Sequence, residues 1–239
     1  MVRKHILLVT ALFGMLAVIS STAGANPPAA GQALLSEAQT ALAGKNWQQA
    51  ADILNKLIAL DPRWDYYQML GAAELNLGQY QETVDADDKG IAGAQADKKI
   101  SRAMLHAALA QMLTNKGNAL IRLKRNDEAI AAYKDAAGYS TNPATAWFNV
   151  CAIEYNIGHT TDAVATCDKA IAANPKKADA YFIKGSVMFG NGALDKDNNF
   201  VVPPGTIEAL KKYLELAPDG AHAGDVHQML DYMNKPIKP

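Results

Sequence analysis

Residues 144–177 read ATAWFNVCAIEYNIGHTTDAVATCDKAIAANPKK, and their spacing decides the fold. Trp147 and Val150 stand three apart, so they share one helical face with Cys151. Gly158 closes that helix, because glycine accepts the left-handed conformation that helix C-termini often use. Thr160 or Thr161 opens a second helix, with a hydroxyl to cap its first N–H groups. Ala163 and Ala170, about two turns apart, leave only methyl groups where the helices approach each other. Pro175 stops the second helix. Such a helix–turn–helix unit cannot cover its own apolar face, so it calls for neighbours of the same kind.

The neighbours are there. Residues 31–63 carry Leu34, Ala38 and Leu42, a turn at Asn46-Trp47, then Ala50, Leu54, Leu57 and Ile58 before Pro62. Residues 110–143 carry Gly117, Leu120, Ala129, Tyr133 and Ala136, with a stop at Asn142-Pro143. The thirty-four-residue frame and these residues resemble the tetratricopeptide repeat (TPR). The resemblance implies an all-α, right-handed TPR superhelix of about five helix–turn–helix repeats plus a C-terminal capping helix, about eleven helices in all. The repeats fall at about 31–63, 64–97, 110–143, 144–177 and 178–218, with an insertion at 191–205, a cap at 220–233 and a tail at 234–239. Together 31–233 form the TPR domain.

Two stretches depart from the pattern. In 64–97, Tyr67, Leu70-Gly71, Gly78 and Tyr80 fit, but Thr83, Asp87 and Gly90 fill slots that are ordinarily small or apolar. Only Val84 and Ile91 keep the apolar face, so this helix is the weakest by propensity. A long helical run over 98–124 follows, whose extra turns are placed to cover those gaps. In the last repeat, Tyr181 and Gly185 fit; then a polar run, Phe200-Val201-Val202 and Pro203-Pro204-Gly205 intervene. The prolines cannot continue a helix, which makes 191–205 an exposed, adaptable loop. The second helix resumes at Thr206 with Ile207, Leu210, Tyr213 and Leu214.

Hydrophobic content of 49% with 20% charged residues excludes disorder as the main state. Residues 1–25 stand apart: Arg3 and Lys4, an apolar run from Ile6 to Ile19, then Ala23-Gly24-Ala25. That is the layout of a cleaved secretory signal peptide, followed by a linker at 26–30. The expected location is therefore outside the cytoplasm, periplasmic or secreted, with no membrane span after cleavage. The formal net charge is −1, and loss of the two basic signal residues leaves the remainder more acidic, which argues against nucleic-acid partners. Cys151 and Cys167 are the two cysteines of the chain. They lie seven before and nine after the Gly158 turn on inward faces, so they are expected to meet as a disulfide.

No His-Glu-x-x-His, Gly-x-Ser-x-Gly or Walker loop is present, and the histidines are scattered. Asp195, Asp197 and Asn199 begin like a calcium loop, but Phe200 stands where glycine is needed and the closing glutamate is missing. The expectation is no enzyme, no metal and no cofactor. The TPR resemblance instead implies a concave face lined by the first helix of each repeat. Mapped onto this sequence, that face offers Gln111, Asn115, Asn118 and Arg122, then Phe148, Asn149, Tyr155 and Asn156, then Phe182, Ser186 and Phe189. Asparagine both donates and accepts, so a row of them suits an extended peptide backbone. The basic residues with which some family members hold a C-terminal carboxylate are missing. The expected role is a non-enzymatic scaffold in the bacterial cell envelope, binding a protein or extended peptide. The alternative is a small-ligand or glycan-binding envelope module that stacks sugars on Phe148, Tyr155 and Phe182.

Overall fold

A computed structural model describes residues 29–197 and 199–234. The expected signal at 1–25 and the last five residues of the tail lie outside them. The first helix begins at Ala29, so the last two residues of the expected linker are helical. The described residues form eleven helices and one two-stranded hairpin, in two compact units divided after Thr141.

The first unit holds α1 (Ala29–Ala43), α2 (Trp47–Leu60), α3 (Trp64–Leu77), α4 (Tyr80–Ala96), α5 (Arg102–Arg122) and α6 (Asn126–Tyr139). Each helix packs on the next, and α3 also packs on α5. The second unit holds α7 (Ala144–Ile157), α8 (Thr160–Ala173), α9 (Ala178–Gly190), β1 (Ala193–Leu194), β2 (Phe200–Val201), α10 (Thr206–Leu216) and α11 (Ala223–Asn234). Here too consecutive helices pack together, and α9 also packs on α7 and α11. The cap thus starts three residues later than expected, because Gly220 closes a turn after Ala217.

One contact recurs inside every repeat. A residue on the first helix meets a residue sixteen positions later on the second, or further where the insertion intervenes. A Cβ on Gly117 would lie 2.9 Å from the Tyr133 ring, and one on Gly185 would lie 2.6 Å from Leu210. Gly71 is as tightly covered, by Asp87. In α1–α2 the same steps hold Ala38 and Leu54, both fully buried. In α7–α8 they hold Cys151 and Cys167, at disulfide distance with Cα atoms 5.1 Å apart.

The turns share a second device. Lys45, Gly78, Lys124 and Gly158 all adopt positive φ, between 58° and 86°. Each lets the next residue's N–H reach back to the carbonyl five residues earlier: Asn46 to Ala41, Gln79 to Glu74, Arg125 to Leu120 and His159 to Glu154, all at 2.8–2.9 Å. That closes the helix end in the Schellman manner. The sequence announced this at the two glycines and hid it at the two lysines.

The weak fourth helix forms because its small residues admit their neighbours. A Cβ on Gly90 would lie 2.6 Å from Met112 Sδ of α5, and Gly93 receives Trp64 of α3. Ala108 and Leu109, from the extra turns of α5, are buried as well. The insertion is more ordered than the loop expected from its prolines. Ala193 pairs with Val201 and Leu194 with Phe200 in an antiparallel hairpin. Asp195 accepts the backbone N–H groups of Asp197 and Asn199, each at 2.8 Å, so its carboxylate holds the loop closed. Phe200 sits between Phe189 and Tyr232, with ring centroids 5.2 and 5.1 Å away, which fastens the hairpin to α9 and α11.

This packing is open to direct measurement. Gly117→Ala forces a methyl into the Tyr133 ring and is expected to cost about 1–3 kcal/mol in chemical denaturation. Lys124→Gly is expected to stabilise slightly: it removes a left-handed penalty of about 1–2 kcal/mol, which outweighs the cost of about 0.4–1 kcal/mol from the freer unfolded chain. Unfolded, non-reduced protein is expected to show no thiol reactive to alkylation. Reduction should then lower stability by about 3 kcal/mol, the chain-entropy value for a loop of this size.

Candidate partner-binding surface

Gln111, Asn115, Asn118 and Arg122 recur every three or four residues on α5, so they share one face of that helix. The structure gives them different duties. Gln111 Oε1 accepts a 2.8 Å hydrogen bond from Nε2 of Gln68, a buried residue of α3. Asn118 Oδ1 accepts a 2.6 Å bond from the Tyr133 hydroxyl, whose pKa burial drives well above the ordinary phenol range. Asn118 therefore anchors the ring that covers Gly117. Asn115 is half-buried, and its Nδ2 has no protein partner among the described residues. Arg122 is exposed and forms no ion pair among the described residues.

In the second unit, Phe148 and Phe182 are only 7% and 6% exposed and belong to one hydrophobic core. Asn149 is buried as well, whereas Tyr155, Asn156, Ser186 and Phe189 are half-buried. The Lys177 ammonium sits 4.3 Å from the centroid of the Phe148 ring, and the His222 ring stacks on Phe182 at 3.9 Å. Lys177 immediately precedes α9, and His222 immediately precedes α11. One geometric step thus supplies a nitrogenous roof to each phenylalanine. His222 is held in turn from two sides: its backbone N–H donates to the Tyr213 hydroxyl at 3.0 Å, and its Nδ1 lies 3.9 Å from Asp225. The Tyr155 phenol is raised above its usual range by burial and by the charge of Asp225.

Sequence reading missed Gln68, Lys177 and His222. The signal was present for the last two, since each stands directly before a first helix. Gln68 gave none, because its role depends on how closely α3 and α5 pack.

Residues 110–143 match the tetratricopeptide repeat family by sequence. That stretch is a tetratricopeptide repeat by sequence, and the chain as a whole has the tetratricopeptide-repeat fold. Its fold is similar to that of YrrB, described as a TPR protein with an unusual peptide-binding site. The identity is 18%, the coverage 82% of this chain and 90% of YrrB, and the TM-score 0.62. MamA matches at 16% identity over 87% of this chain and 98% of its own, with a TM-score of 0.62. PilF of Pseudomonas aeruginosa matches at 15% identity over 86% and 87%, with a TM-score of 0.59. At such identities the likeness is one of fold. No curated protein matches this chain in sequence. No helix among its described residues is long and apolar enough to cross a membrane.

The two α5 asparagine and arginine positions separate by experiment. Asn118→Ala leaves the buried Tyr133 hydroxyl unpaired and is expected to destabilise the fold by about 1–3 kcal/mol. Arg122→Ala, at an exposed site, is expected to change stability by less than about 0.5 kcal/mol. Urea denaturation of the two variants checks both values.

Proposed function

We propose that this TPR chain is a non-enzymatic scaffold that binds an extended segment of a partner protein, and that it works in the bacterial cell envelope after export. The observation that carries the binding reading is the α5 face. Gln111, Asn115 and Arg122 line it with polar side chains, and Gln111 and Arg122 are exposed. An extended backbone offers alternating carbonyls and N–H groups, which amides can meet from one side. The peptide-binding site described for YrrB supports the same use of the fold.

The glycan alternative needs bare aromatic faces. Phe148 and Phe182 are more than nine-tenths buried and roofed by Lys177 and His222, so a sugar ring would have to displace both. We therefore favour the protein partner. Export rests on the basic, apolar and small-residue layout of residues 1–25, with support from two buried cysteines at disulfide distance.

Purified protein is expected to retain a discrete set of proteins from envelope extract. An Arg122→Ala/Gln111→Ala variant, folded by circular dichroism, is expected to lose at least about tenfold in affinity, the worth of about 1.4 kcal/mol of lost contacts. Undiminished capture by that variant would move the site off α5. Cell fractionation is expected to find the chain outside the cytoplasm, shortened at its start; a full-length cytoplasmic product would overturn export.

A further inference from the structure

Asp87 of α4 is fully buried, and neither of its carboxylate oxygens has a hydrogen-bond partner among the described residues. It occupies the step held by Leu54, Tyr133, Cys167 and Leu210 in the other repeats, pressed against Gly71 of α3. Glu74, one turn after Gly71, is nearly as buried, and its Oε2 is also unpartnered. The equivalent steps of α7–α8 show the contrast. There Glu154 receives a 2.5 Å hydrogen bond from the Thr166 hydroxyl. Ala86 stands at the matching position of α4 and has none to give.

An isolated carboxylate cannot stay ionised in such a site; it takes up a proton instead. The charges around the pair reinforce this. From α4 itself, Asp88 acts on Asp87, while Glu82, Asp85 and Lys89 act on Glu74. From α3, Glu74 faces Asp87. From α5, Lys116 is the cation acting on Asp87, but its ammonium lies 2.5 Å from the carboxylate of Asp88. The near cation is thus already engaged, and the acids outnumber it.

We propose that the α3–α4–α5 stack is a pH-responsive element, tightly packed while Asp87 and Glu74 carry their protons and loosened as those protons leave. Burial, then the neighbouring acids, holds Asp87 well above the ordinary carboxylate range and pushes Glu74 up to about 7. In the unfolded chain both titrate at roughly 4. Between those limits the folded state binds more protons than the unfolded one. Its stability therefore falls as pH rises, opposite to the effect of an ion-paired carboxylate. Glu74 makes the slope extend through neutrality.

Amide hydrogen exchange of the full-length chain, corrected for intrinsic rates, tests this at about pH 5 and about pH 8. Amides of α3, α4 and α5 are expected to exchange about tenfold faster or more at the higher pH, with a much smaller change in α7–α10; one pKa unit is tenfold in an equilibrium. Asp87→Leu, which installs the side chain of the first and last repeats, should protect α4 at the higher pH and shrink the difference to the part that Glu74 carries. Asp87→Asn, which cannot ionise, should flatten the profile even if it is less stable. Equal protection of wild-type α3–α5 at both pH values overturns the proposal. So does an undiminished difference in Asp87→Leu. Should Asp87→Asn fail to fold, the wild-type profile and Asp87→Leu decide.

Discussion

Two antiparallel helices can approach closely only where one of them gives up bulk, and this repeat settles the matter at a single crossing. Glycine or alanine on the first helix receives a large side chain from the second: Leu54, Tyr133 or Leu210. Interiors are packed as densely as organic crystals, so the pair must sum to about the same volume wherever it occurs. The chain solves this in three chemistries. Small against large is the common solution; two cysteines of middling size share the space in α7–α8; and a glycine faces an aspartate in α3–α4. The third keeps the volume and gives up the polarity match.

The remaining architecture follows from that crossing. Fixing it aligns the helix ends, so the left-handed turn residue falls at one step in four repeats, whether glycine or lysine. It also fixes the residue just before the next first helix, which lands over the preceding phenylalanine as Lys177 or His222. The buried Tyr133 carries a hydroxyl into the interface and draws Asn118 inward to satisfy it. A polar residue at a nominally open position can thus belong to the fold.

Much of this was legible in advance because it is local. Helix starts and stops, the thirty-four-residue frame and the cysteine pairing all depend on spacing within one repeat, where period and turn chemistry speak directly. The candidate surface was legible only as positions. Whether Asn149 or Phe182 is open to a partner depends on what the next helix lays over it, and no spacing rule reports that. Lys45 and Lys124 were invisible for a related reason: the turn imposes positive φ on residues whose own preference is against it. The hairpin in the insertion was hidden too, because part of its hold comes from Tyr232, distant in sequence.

The hairpin shows how the repeat tolerates lengthening. It enters between α9 and α10, yet Gly185 still meets Leu210 and the helices keep their register. The extra chain is closed upon itself by Asp195 and pinned by one ring, so it asks nothing of the crossing beneath. That makes the turn a natural grafting port. Segments of other length or composition, provided they keep an aromatic pin and a self-closing tip, can be exchanged there while the helical register stays fixed. New recognition surfaces can then be acquired, by descent or by design, without rebuilding the scaffold that displays them.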